Sequence, residues 1–267
     1  MKFKKLLLPI AILGLASCNT IGEENETLKG FDIELARALG EELGVNIEFE
    51  EIVWEQKELE LSSKNIDLIW NGLTITDERK ENLEISNPYL ENRQVIVTKD
   101  ITTLSNETNY TVAFEAGSAG SDLFASDALF TNSTSVESNS QTDALTEVLS
   151  GTSDLAIIDS VMAGYYLNSN TSFSSLNILD YETESEYYGI AGRKGDVALI
   201  NKVNEVLNTL YTNGKTLEIA NTYGLADYLV NSTYEAVEAT DDSLNYILEK
   251  GTLVIGYTIF APIAYFD

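Results

Sequence analysis

The chain holds 267 residues, 44% of them hydrophobic, enough apolar material for real cores in one large domain or two lobes of about 100 residues each. It carries 43 acids against 16 bases; residues 1–17 hold three of the lysines and no acid, so the remainder stands at 43 against 13, a formal charge of −30. That surface argues against nucleic acid or anionic lipid as partners, the absence of histidine removes the usual general base and the commonest metal ligand, and a single cysteine, Cys18, leaves no internal disulfide or thiolate metal site.

Lys2, Lys4 and Lys5 open the chain, and an apolar run of 11 residues follows at 6–16. That run is too short to span a bilayer as a helix, and with Leu15-Ala16-Ser17-Cys18 behind it residues 1–17 read as a secretory signal peptide. The polar, acidic residues 18–29 read as tether and loop. From Gly30 a helix is expected, because Phe31, Leu35, Leu39 and Leu43 recur every four positions and Gly44 can end it. Val45, Ile47 and Phe49 alternate with polar residues as in a strand. Trp54 sits at its end, and a short helix carries Leu59 and Leu61.

The most informative run is 66–89, IDLIWNGLTITDERKENLEISNPY. A buried strand is expected over 66–70, a turn at Asn71-Gly72, and a helical turn opening at Asp77. Pro88 stops any helix. Arg79 offers a planar fork that matches a carboxylate with two parallel hydrogen bonds. Thr74 and Thr76 offer hydroxyls, and Gly72 lets backbone approach a ligand closely. The plainer alternative is a strand, a turn and a surface helix with a solvated arginine.

Residues 93–99 form another strand, and 100–110 a polar loop. Strand 111–115 leads into Ala116-Gly117-Ser118-Ala119-Gly120 and a helix, whose first N–H groups can hold an anion. Residues 131–142 read as Ser/Thr/Asn-rich loop and 145–149 as helix. Strand 154–159 ends in Asp159 ahead of a helix with Tyr165 and Tyr166. A carboxylate at the C-terminal end of a strand, at the mouth of an α/β lobe, is well placed for a ligand; it could equally cap the next helix. Strands at 176–179 and 187–192, helices at 196–211 and 216–223, a polar linker at 230–240, a helix to Lys250 and a strand at 252–257 complete the α/β alternation.

The 66–89 run resembles the signature of the amino-acid-binding proteins of ABC importers, the type II periplasmic-binding proteins of bacterial solute-binding family 3. GFDIELARALGEELGVNIEFEEIVW and YYGIAGRKGDVALINKVNEVLNTLYTNGKTLEIANTYG are similar to further segments of that family. The resemblance implies a two-lobed α/β fold with two crossing hinge strands. Lobe 1 would comprise 30–97 and 190–267, and lobe 2 residues 98–189. A free polar amino acid would enter the cleft, with no bond broken and no cofactor. Its α-carboxylate would meet Arg79, helped by backbone near Thr74, Ser118 and Ala119. Its α-ammonium would meet Asp159, helped by Gly72 and Thr74, with Asn71 in the same wall. Trp54 and Phe260 would sandwich the side chain, core packing being the alternative for Trp54. An ABC permease and its ATPase would receive the closed form. Leu15-Ala16-Ser17-Cys18 resembles a bacterial lipobox, which implies lipidation of Cys18 and an extracytoplasmic, membrane-anchored protein. An enzyme of dehydratase type, with Glu115 or Glu55 as its acid or base, is the rival, and a sensor module a third reading.

The order of segments looks rotated. EKGTLVIGY and the loop through Phe260 and Pro262 resemble the segment with which the family begins, and Asp267 would read on into Ile21. This implies a circular permutation, with residues 230–242 joining the usual termini; a piece of a tandem array is the rival. Tyr257 stands where linear relatives often carry an acid, which weakens a lysine or arginine preference built on that position.

Overall fold

A computed structural model describes residues 27–168, 172–231 and 234–266. The signal peptide, Cys18 and nearly all of the expected tether lie outside them. The first lobe begins with β1 (Leu28–Lys29), α1 (Phe31–Leu43), β2 (Asn46–Glu51), α2 (Lys57–Ser62), β3 (Leu68–Thr74), α3 (Asp77–Asn82) and β4 (Leu83–Ile85), and β5 (Leu90–Thr98) leaves it. The second lobe adds β6 (Thr111–Glu115), α4 (Ala119–Ser126), β7 (Thr134–Ser138), α5 (Gln141–Ser150), β8 (Leu155–Asp159), α6 (Ser160–Asn168) and β9 (Asn177–Ile178). Strand β10 (Ser185–Arg193) returns, followed by α7 (Val197–Thr212), α8 (Lys215–Tyr223), α9 (Ser243–Lys250), β11 (Thr252–Tyr257) and β12 (Tyr265–Phe266).

The main sheet runs β2-β11-β3-β10-β5-β8-β6-β7. Its outer parts are parallel: β2, β11 and β3 in one lobe, and β8, β6 and β7 in the other. The antiparallel pair β10 and β5 lies in the middle, so both crossings of the chain run side by side between the lobes. In lobe 2 the period of two puts Val97, Ala113 and Ile158 into one core, and Ile96, Val112 and Ile157 into the other. In lobe 1 the apolar stripe of α1 meets Leu199, Val203, Leu253 and Ile255, as a 3.6-residue period against a sheet requires.

Strand β11 fills the gap between β2 and β3 of its own chain. Six of its residues pair with β2, from Thr252↔Asn46 to Tyr257↔Glu51, and Ile255 and Gly256 pair with β3. It thereby joins β2 to the rest of the lobe 1 sheet.

Three expectations need correction. Asn71-Gly72 is not a turn: β3 runs through it with all seven residues buried. Gly72 takes φ +63°, and a Cβ there would lie 2.7 Å from the Phe260 ring, so it kinks the strand without reversing it. The segment 131–142 is not wholly loop, since β7 and the start of α5 lie within it. Among the described residues strand β7 pairs only with β6, at the sheet edge, and mostly faces solvent, so it lacks the apolar alternation that marks a strand. Leu28 and Lys29 are not tether; they pair antiparallel with Phe266 and Tyr265.

Candidate functional site

Nine residues singled out by resemblance, Trp54, Asn71, Gly72, Thr74, Arg79, Ser118, Ala119, Asp159 and Phe260, line one narrow pocket between the lobes. Glu115, Gln141 and Thr258 complete its lining.

Arg79 owes its position to a cap. The Thr76 hydroxyl accepts the Arg79 N–H at 3.1 Å, which fixes the first turn of α3 directly after β3. The buried guanidinium then donates from Nη1 to the Thr74 carbonyl at 2.7 Å and from Nη2 to the Gly117 carbonyl at 3.4 Å. A guanidinium has five N–H donors, so the fork keeps donors for a carboxylate. Asp122, exposed, stands 3.8 Å from Nη2.

Lys57 opens the short helix α2 and is buried. Its Nζ donates to the Trp54 carbonyl at 3.3 Å and, from the other lobe, to the Gly117 carbonyl at 3.0 Å. It also lies over the Trp54 ring, 4.9 Å from the centroid. Burial, then the Arg79 charge, pulls the Lys57 ammonium down to about 8.

Asp159 ends β8 and is buried. Its Oδ1 accepts from Asn92 Nδ2 at 2.5 Å and Gln94 Nε2 at 2.6 Å, its Oδ2 accepts from Gln141 Nε2, and its own N–H donates to Gln141 Oε1 at 2.8 Å. At the head of α6 the Val161 N–H goes instead to Asn92 Oδ1 at 3.3 Å. Burial raises the Asp159 carboxyl, and the amide donors oppose that rise. Glu115 is pushed to about 8 by burial and by Asp159, against the pull of Lys57. The burial of Lys57, by contrast, has no mark in a stretch whose sequence reads as an ordinary short helix. Only burial, which the linear chain does not display, distinguishes it.

Trp54 packs with Leu61, Ile66, Ile69 and Leu73 and also lines the pocket. Phe260 lies on the same pocket and meets Tyr188 edge-on at 6.5 Å. Asn71 Oδ1 accepts from the Thr258 N–H at 2.9 Å and hydroxyl at 2.7 Å. Its buried Nδ2 finds no acceptor among the described residues. The Ser118 hydroxyl caps α4 through the Ser121 N–H at 3.3 Å. Below the pocket, Asp32 Oδ2 accepts from the Gly72 N–H at 3.0 Å and the Tyr89 hydroxyl at 2.8 Å. Among the described residues no cluster of His, Cys, Asp and Glu suits a metal ion, and no helix is long and apolar enough to cross a membrane.

A pocket between two α/β lobes, with a buried cation, buried carboxyls and aromatic walls, defines the two-lobed class of solute-binding folds. Residues 14–226 match the bacterial extracellular solute-binding proteins, family 3, and the chain belongs to that family. The arginine-binding extracellular protein ArtP of Bacillus subtilis (strain 168) is 32% identical over 200 residues, which are 72% of this chain and 76% of that protein. An ABC uptake transporter substrate binding protein from Streptococcus pneumoniae, solved with bound histidine, is 36% identical at a TM-score of 0.71, covering 76% of this chain and 85% of that one. The ancestral amino acid-binding protein AncCDT-1, a precursor of cyclohexadienyl dehydratase, is 29% identical at a TM-score of 0.67, covering 75% of this chain and 87% of that one.

Proposed function

We propose that the protein binds a free polar amino acid between its lobes and delivers it to an ABC permease and its ATPase. The observation that carries this is the pocket itself: it brings the Arg79 guanidinium of lobe 1 and the Asp159 carboxylate of lobe 2 into one buried lining with Trp54 and Phe260. A cation and an anion in one small cavity complement the two charges that every free amino acid carries. Arg79 takes the α-carboxylate, with backbone near Thr74, Ser118 and Ala119. Asp159 takes the α-ammonium, with Gly72 and Thr74, and Asn71 Nδ2 supplies a further donor. The bound amino acid joins the lobes and shifts the population toward the closed form. In the same reading the signal peptide directs the chain across the membrane, and lipidated Cys18 anchors it on the outer side.

The rotated order of segments belongs to this reading. The family match stops at residue 226, while residues 252–257 supply a strand in the middle of lobe 1; this supports a permuted relative of the linear proteins.

The test is thermal unfolding of residues 19–267 against the twenty amino acids and cystine. A ligand that binds only the folded state raises the midpoint by mass action. One or two polar amino acids are expected to shift it, and Arg79→Ala is expected to weaken their binding by roughly 2–5 kcal/mol, since a carboxylate would be left buried and unpaired. Near-native affinity in that variant would refute the site assignment. The rival reading draws on Glu115, a buried acid that keeps its proton near neutrality, and on likeness to a dehydratase precursor. Turnover of a bound cyclic acid would favour it.

A further inference from the structure

Behind Asp159 stands a second carboxyl, Glu186 of β10, which no sequence signal marked. Asn92 Nδ2 lies 2.5 Å from Asp159 Oδ1 and 2.5 Å from Glu186 Oε1. Gln94 Nε2 lies 2.6 Å from the same Asp159 oxygen and 2.8 Å from the same Glu186 oxygen. Two nitrogens shared by two oxygens close a four-atom ring, so the two carboxyl groups face each other across it. The ring is also where the lobes join. Asn92 and Gln94 come from the outgoing crossing strand β5, Glu186 from the returning strand β10, and Asp159 from lobe 2.

Asp159 is buried and Glu186 half-buried, and two ionised carboxyls this close and this shielded from water repel each other strongly. The two amides supply N–H groups only to oxygens already in the ring, and no Lys or Arg side chain bonds to either acid among the described residues. We infer that Asp159 and Glu186 share one proton when no ligand ammonium is present, and that the ammonium, on reaching Asp159, displaces that proton to solvent. This rests on the amino-acid reading given above. The charge balance is simple: one cation enters beside the pair and one proton leaves it, so the cluster is neutralised to the same degree before and after. Burial pushes Glu186 up to about 8, with Asp159 the next cause, which puts the shared proton in place across the neutral range. Other titratable groups facing the pair are Glu115 from β6 and Tyr188 from β10; Lys57 from α2 acts on Glu115.

The sign follows. Below about pH 8 binding releases a proton, so affinity rises as pH rises toward 8. Above it the pair is already ionised and the dependence levels off.

The experiment is titration calorimetry with the amino acid found in the thermal screen, at pH 6.5, in buffers of different ionisation enthalpy. Such a set reads protons released per ligand bound. The wild-type chain is expected to release up to ~1 proton, Glu186→Gln close to none, and Glu115→Gln the same number as wild type. Glutamine at 186 keeps an oxygen for Asn92 and Gln94, so the ring survives without its proton, and affinity in that variant should hardly vary between pH 6 and 8. Binding by the wild type without proton release overturns the inference while leaving the amino-acid reading intact. So does release that persists in Glu186→Gln or vanishes in Glu115→Gln. Binding of no amino acid by a cooperatively folded wild type refutes the amino-acid reading and this inference with it.

Discussion

Asp32 shows how a single side chain in this protein ties pH to stability. It sits in the first turn of α1, where an acid ordinarily favours the helix N-terminus. Here it is fully enclosed, and burial lifts its carboxyl from 3.8 to about 7 against the hydrogen bonds from Tyr89 and Gly72. The folded chain therefore keeps a proton that the unfolded chain gives up near pH 4. Its contribution to stability is complete below that point and is lost as pH climbs to about 7. Asp32→Asn leaves an oxygen for Gly72 and Tyr89 and has nothing to titrate. Denaturant unfolding at pH 5 and pH 8 should show the variant gaining on wild type by a few kcal/mol at the higher pH. Parallel profiles would show that Asp32 stays ionised in the fold. Residues of this kind explain what the chain hid. That Arg79, Asp159, Trp54 and Phe260 line one pocket was foreshadowed by the family-like segments in which they stand. Asp32, Lys57 and Glu186 were not, because an acid or a lysine among many acids reads as solvated surface until the tertiary fold covers it.

At the scale of elements, α2 and α3 of one lobe meet the turn before α4 of the other at a single acceptor. The Gly117 carbonyl receives Lys57 Nζ at 3.0 Å and Arg79 Nη2 at 3.4 Å. The turn comes so close that a Cβ on Gly117, which has φ +66°, would lie 3.3 Å from the Glu55 backbone. Lys57→Met keeps an apolar side chain of similar length and removes the Lys57 bond between lobes. Ligand affinity should fall ~10-fold, the worth of one charged hydrogen bond, and small-angle scattering of the ligand-saturated protein should show a larger radius. Unchanged affinity and radius would make Lys57 a packing residue only. Elements with strong periodicity, such as α1 and α7, were legible, as was the strand at 252–257. The kink inside β3 was not, since Asn-Gly more often marks a reversal; neither was β7, whose exposed edge position needs no apolar pattern.

At the scale of the whole molecule, the sheet depends on a strand that arrives last. Removing residues 241–267 takes away α9, β11 and β12 and leaves β2 and β3 with unpaired edges facing a gap. The shortened chain should lose cooperative unfolding, and a separate peptide of residues 241–267 should restore it. A sharp transition in the shortened chain alone would mean that lobe 1 can close without β11. The small ribbon of β1 and β12 has a mechanical consequence. Leu28 pairs with Phe266 and Lys29 with Tyr265, so a load applied outward at residues 28 and 266 pulls on the same end of both strands. The ribbon would peel open one hydrogen-bonded pair at a time and give way at low force, a fuse that yields before tension reaches the strands supporting the cleft.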